Sequence, residues 1–224
     1  MLEPDLIGAA QPRRATGARR PPSPVYEALR HNFGHVLRVA GMSVSIGGGY
    51  YIIFVYSISY LNDRMHVSVA HAMDINTACL FVLAVLPLLT GRLSDRIGRR
   101  PFLVGGMLGF VLLSYPLWWL MHQQDLWLIF AGQMGFVMIF GVIYGAMPAA
   151  LPEILPRHIR VSALSIGYSG ALALFGGTAP AVATYLLERT GDDFAPAYYL
   201  TALGIVSFLA VLTIPETRGR SLAT

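Results

Sequence analysis

Residues 91–101 read Gly91-Arg92-Leu93-Ser94-Asp95-Arg96-Ile97-Gly98-Arg99-Arg100-Pro101, four arginines and one acid between two long apolar runs. The run before it, Ala72 to Thr90, and the run after it, Pro101 to Met121, have the length at which a helix crosses a hydrocarbon core of about 30 Å. Backbone groups in lipid must bond within their own segment or around a closed barrel. Barrel strands alternate strictly over about 10 residues, and Phe81-Val82-Leu83-Ala84-Val85-Leu86 does not. Two membrane helices joined by a tight, glycine-flanked turn are therefore expected here.

Four more apolar runs extend the pattern: Val36 to Leu61 before it, and Leu126 to Leu151, Val161 to Leu187 and Ala197 to Ile214 after it. The composition agrees, with 55% hydrophobic and only 12% charged residues where a soluble domain carries about 25% charge. That excludes a soluble globular protein and a disordered one. The single cysteine, Cys79, excludes a disulfide framework and a Cys-rich zinc site. A pI of 9.4 would suit a nucleic-acid binder, but not at this hydrophobicity, so no nucleic-acid partner is expected. The lipid bilayer is.

The basic side is all arginine, and its placement gives an orientation. Thirteen of the 16 arginines fall in the N-terminal tail, the second loop, the fourth loop and the C-terminal tail. The positive-inside rule puts these in the cytoplasm, with both termini. Residues 1–32, rich in proline and arginine, lack the apolar run of a secretory signal and are expected to form a flexible cytoplasmic tail. A six-helix bundle is expected over 33–215, and a second tail over 216–224.

Inside the spans, Pro87, Pro116, Pro148 and Pro180 each remove a helix hydrogen bond. Glycines recur at Gly47-Gly48-Gly49, Gly141 with Gly145, and Gly176-Gly177, where they allow close helix approach. Asp74 is the one acid within a predicted span. Intramembrane acids are functional candidates, so Asp74 is a candidate proton-linked group, although with Asn76 and Thr77 it can equally start the helix. Tyr50 and Tyr51 lie mid-span, where an interfacial belt role fails. With Gln133, Tyr144, Tyr168 and Ser169 they are candidates to line a cavity. No HExxH, P-loop or nucleophile elbow is present. His31 and His35 share a helical face without a third ligand, so no catalytic residue, metal site or cofactor is expected.

The 91–101 loop resembles the G-x-x-x-D-x-x-G-R-R signature of the major facilitator superfamily, which lies between two spans on the cytoplasmic side. Pro152-Glu153-Ile154-Leu155-Pro156-Arg157-His158-Ile159-Arg160 is similar to that family's acid-x-x-Pro…Arg loop. Pro215-Glu216-Thr217-Arg218-Gly219-Arg220 is similar to its terminal PET-x-G motif. With Ser165-Ile166-Gly167-Tyr168 and Phe175-Gly176-Gly177-Thr178-Ala179-Pro180, they look like the metabolite:proton symporter branch.

The resemblance covers residues 25–224 and only the C-terminal six-span half of such carriers. It implies an all-α membrane protein forming one half of the fold, a 3+3 inverted repeat. Ala40-Gly41 and Ala131-Gly132, opening the first and fourth spans, are its trace in the sequence. Gly91, Asp95, Gly98, Arg99, Arg100, Glu153 and Arg160 would then form a cytoplasmic gate. The tyrosines, Gln133 and Ser169 would face a substrate site between two halves. The implied activity is proton-coupled symport of a small metabolite, such as an organic acid or osmolyte, by alternating access in the cell (inner) membrane. The implied partner is an N-terminal half or a second copy. The alternative is a truncated, non-transporting membrane protein, or a separately encoded half that needs its partner.

Overall fold

The computed structural model describes residues 24–216. The tail arginines through Arg20 and the chain after Glu216, including Thr217 to Arg220 of the terminal motif, lie outside the described residues. All regular structure among the described residues is helical. A short helix α1 (Pro24–Arg30) precedes six long ones: α2 (Phe33–Asp63), α3 (Val69–Ile97), α4 (Arg99–Met121), α5 (Leu126–Glu153), α6 (Arg160–Thr190) and α7 (Ala195–Leu212). The six are long and apolar enough to span a bilayer. Helix α1 occupies part of the expected tail. It packs on α2 and α6, and Glu27 lies 3.3 Å from His158.

Two local expectations change. Helix α3 begins at Val69, where the Ser68 hydroxyl accepts the His71 N–H, so a serine cap and not the Asp74 group starts it. Helix α3 also runs on to Ile97, about two turns beyond Thr90. The expected turn over 91–101 is therefore mostly helix, and the break is confined to Gly98, at φ +128°. A side chain there would be strained, and a Cβ would stand 2.9 Å from Glu216 Oε2.

The packing order carries the repeat. Helix α3 packs on α5 as α6 packs on α2, α4 packs on α5 as α7 packs on α2, and α4 and α7 pack on each other. Exchanging α2–α4 with α5–α7 leaves this list unchanged. The exchanged helices lie three spans apart and so cross in opposite directions, which makes the bundle an inverted 3+3 repeat. The two Ala-Gly pairs sit at matching joints. A Cβ on Gly41 of α2 would meet Ala210 of α7 at 2.9 Å, and one on Gly132 of α5 would meet the Leu117 carbonyl of α4 at 2.6 Å. The core between the units holds Met42, Phe110, Phe136 and Phe140, all fully buried.

Two helices widen locally to π geometry, at Tyr51–Tyr56 in α2 and Leu172–Gly176 in α6. In α6 the widened segment ends one turn before Pro180, which has no N–H to offer the Gly176 carbonyl. The widened segment of α6 lies against the glycines of α2. A Cβ on Gly47 would come within 3.2 Å of Leu172 Cα, and one on Gly176 within 3.0 Å of the Tyr51 ring.

Candidate functional site

The end of the bundle that carries the 98 and 154–159 breaks is closed by charge. Arg99 opens α4 and forms an ion pair with Glu153 at the close of α5. It also lies 3.3 Å from Asp95 on the last turn of α3. Three helices are thus joined through one guanidinium, which can engage two carboxylates because it presents several donors in a fixed plane. Glu153 is nearly buried, at 9% side-chain exposure, while Asp95 is at 63%. The Glu153 pair is therefore the stronger, since solvent screens the other. One Glu153 oxygen, Oε2, is buried without a hydrogen-bond partner, so the acid holds spare accepting capacity at this joint.

Glu216 adds a contact with no role assigned from sequence. Its carboxylate accepts the backbone N–H groups of Arg99 and Arg100 at 3.1 and 3.2 Å. An acid at these unpaired first-turn donors satisfies them and complements the positive end of the helix dipole. Arg100 in turn donates to the Leu212 carbonyl at 3.2 Å, which pins the start of α4 to the end of α7. Arg160 donates to the Leu155 carbonyl at 3.2 Å, inside its own loop. Gly91 lies away from the clasp, where its would-be Cβ stands 3.3 Å from the Gly145 carbonyl. The structure therefore joins Asp95, Arg99 and Glu153 by charge, ties Arg100 to α7, gives Gly98 the break, and turns Arg160 and Gly91 to other work.

The tyrosines meet elsewhere. A recess of about 380 Å³ lies between α2, α5 and α6, lined by Ile46, Tyr144, Leu164, Ser165, Tyr168 and Ser169 among others. A second hollow of about 200 Å³ shares Ile46, Tyr144 and Tyr168 and adds Tyr50, Tyr51 and Leu172. Five of the six cavity candidates therefore converge. Their rings are supported: Tyr144 stacks on Phe140 at 5.7 Å, and Tyr50 lies 5.1 Å from Phe54 and edge-on to Tyr51 at 5.9 Å.

Gln133 is the sixth and does not line either hollow. It is buried, and its Nε2 donates to the Ile53 carbonyl at 3.1 Å and to Asn76 Oδ1 at 2.7 Å. A buried amide must find partners, and the Ile53 carbonyl, inside the widened stretch of α2, supplies one. Asp74 stands exposed on α3, outside the lining of the recess. The sequence carried no signal for Ile46 or Ser165 as lining residues, because apolar and small polar residues occur throughout the spans.

The inverted repeat, the charged clasp at one end and the tyrosine-lined recess together define a multi-pass membrane carrier fold. A profile of the Major Facilitator Superfamily matches residues 23–223, and the chain belongs to that family; it is a transporter-family protein and not an enzyme. It is 32% identical over 196 residues to the proline/betaine transporter of Salmonella typhimurium. It is equally similar to the glycine betaine/proline/ectoine/pipecolic acid transporter of Dickeya dadantii. In both cases the match covers 88% of this chain and 39% of the relative. The Escherichia coli proline/betaine transporter is 33% identical over 187 residues, 84% of this chain and 37% of that one. The chain thus spans about two-fifths of the length of the curated relatives it matches.

Proposed function

We propose that the chain provides one wall and one gate of a proton-coupled carrier for a small zwitterionic osmolyte, completed by a second six-span half. The observation that carries this reading is the uncharged, tyrosine-lined recess above a breakable Arg99–Glu153 clasp. Alternating access needs a site near mid-membrane and an end that can be locked in one state and released in another. The relatives named for proline and betaine transport support the substrate class. The arginine count supports a cytoplasmic clasp and cytoplasmic termini in the inner membrane. Asp74, the intramembrane acid on an exposed face of α3, is assigned to the proton side of the coupling. The test is uptake of radiolabelled glycine betaine and proline by proteoliposomes holding the chain together with an N-terminal half, under an inward proton gradient. Saturable uptake that collapses when the gradient is dissipated is expected. Uptake no faster than in protein-free liposomes, for every solute tried, overturns the reading.

A further inference from the structure

Among the described residues, the lining of the recess holds no group that can neutralise a charge by pairing. Its two connected hollows are lined by Tyr50, Tyr51, Tyr144, Tyr168, Ser165 and Ser169 with apolar neighbours, and among the described residues no Asp, Glu, Arg or His lines them. The acid at the clasp, Glu153, is engaged by Arg99. An anion entering here would lose water and gain no cation. A small, strongly hydrated cation would lose water and gain no carboxylate. What four phenol rings do offer is the negative face of the aromatic quadrupole, which attracts a cation that carries its charge over a large, weakly hydrated surface.

The local backbone brings the rings together. Successive helical residues point about 100° apart, yet Tyr50 and Tyr51 both line the second hollow. They stand at the junction where α2 passes from α to π geometry. Gly176 removes the side chain that would collide with Tyr51. Tyr144 from α5 and Tyr168 from α6 complete the wall from the other two helices.

We propose that Tyr50, Tyr51, Tyr144 and Tyr168 form an aromatic corner that binds the quaternary-ammonium end of the solute through ring faces, leaving its carboxylate to be bound from the opposite half. The proposal rests on the carrier reading above and adds the residues and the chemical selectivity. It makes trimethylated nitrogen the preferred head group, because such a nitrogen has no N–H that must find an acceptor on leaving water. The carboxylate contributes nothing on this side.

The test separates binding from transport. Tetramethylammonium, sodium and acetate are titrated into the full chain in lipid nanodiscs, with tyrosine fluorescence and ligand-observed NMR as readouts. Saturable binding of tetramethylammonium is expected, with none of sodium or acetate. Tyr144→Phe, which keeps the ring, is expected to stay within about threefold. Tyr144→Leu and Tyr168→Leu, which remove it, are each expected to weaken binding about tenfold, equivalent to about 1.4 kcal/mol, with unchanged helix content as the folding control. Equal binding of acetate, or equal affinity in the Phe and Leu variants, overturns the proposal. If uptake occurs but tetramethylammonium does not bind, the corner fails while the carrier stands. If tetramethylammonium binds as described and no solute is taken up, the carrier reading fails while the corner stands.

Discussion

Gln133 of α5 reaches across the bundle to the Ile53 carbonyl of α2, 3.1 Å away, and shares its amide with Asn76 of α3. The Ser57 hydroxyl donates to the same carbonyl at 2.6 Å. Ile53 lies within the widened stretch Tyr51–Tyr56, so the side chain of one repeat bonds a backbone carbonyl of the irregular segment in the other. Membrane helices tolerate such irregularity only where protein covers it.

That relationship predicts a measurable coupling. Gln133→Leu should lower stability by about 1 kcal/mol, the scale of a buried membrane hydrogen bond. Asn76→Leu should cost a similar amount, and the double variant less than the sum of the two, since both remove the same interaction. Thermal unfolding of the purified chain in detergent, followed by helical circular dichroism, checks this. Strict additivity would show that the amide pair is not coupled.

A second prediction concerns the joint between α3 and α5. A Cβ on Gly145 would stand 2.7 Å from the Gly91 nitrogen and collide with the Thr90 hydroxyl, which itself donates to the Gly141 carbonyl at 2.6 Å. Gly145→Ala should therefore force the helices apart, at about 1–3 kcal/mol. Gly105→Ala meets nothing within 4 Å and should be neutral or stabilising by up to about 1 kcal/mol. Melting temperatures of the two variants, each against the parent chain, are the measurement. A Gly145→Ala variant as stable as Gly105→Ala would contradict the tight joint.

What was legible in the sequence was what lipid imposes. Six spans follow from run length, and each predicted core of a span lies inside an observed helix or within two residues of its end. The ends were less legible because apolarity stops at the membrane while the helix does not. Arg92 to Ile97 continue α3 outside the apolar run, with nothing helix-breaking before Gly98. Tyr50, Tyr51, Tyr144 and Tyr168, placed mid-span by the sequence, do line the two hollows, since a phenol at that depth needs a cavity or a partner. Gln133 carried the same signal and answered it differently, by a partner. A residue type reports that burial must be resolved, and not by whom. The π segments left no trace in α2, where no proline marks them.

Glu216 and Gly98 give a third prediction. The carboxylate caps α4 and stands where a Cβ on Gly98 would project. Gly98→Ala meets both a positive φ and that acid, so it should cost about 1–3 kcal/mol from the backbone alone and more from the contact. Glu216→Gln keeps the shape, loses the charge–dipole attraction and should cost about 0.3–1 kcal/mol, less at high salt. Hydrogen exchange at the Arg99 and Arg100 amides reads the cap directly. Faster exchange confined to these first-turn amides is expected in Glu216→Gln, and unchanged exchange would remove the cap from the account.

The last prediction joins the clasp to the recess. Arg99 holds Glu153, and Glu153 ends the helix whose Tyr144, Met147 and Pro148 line the large hollow. Releasing that end should open the hollow. Glu153→Gln removes the charge from a pair that is mostly buried, with side chains 9% and 18% exposed. The cost should fall between that of exposed pairs and that of fully buried ones, about 1–2 kcal/mol, or roughly a 5–30-fold shift in the closed–open ratio. A cysteine at Ser165, which lines the hollow and is exposed, reports it in a Cys79→Ser background, Cys79 being the one native and buried thiol. Maleimide should label Ser165→Cys several-fold faster when Glu153 is Gln. Asp95→Asn should change the rate much less, because its carboxylate is largely solvated. Equal labelling with and without the Glu153 charge would mean that the clasp holds the helix ends without controlling access to the tyrosine recess.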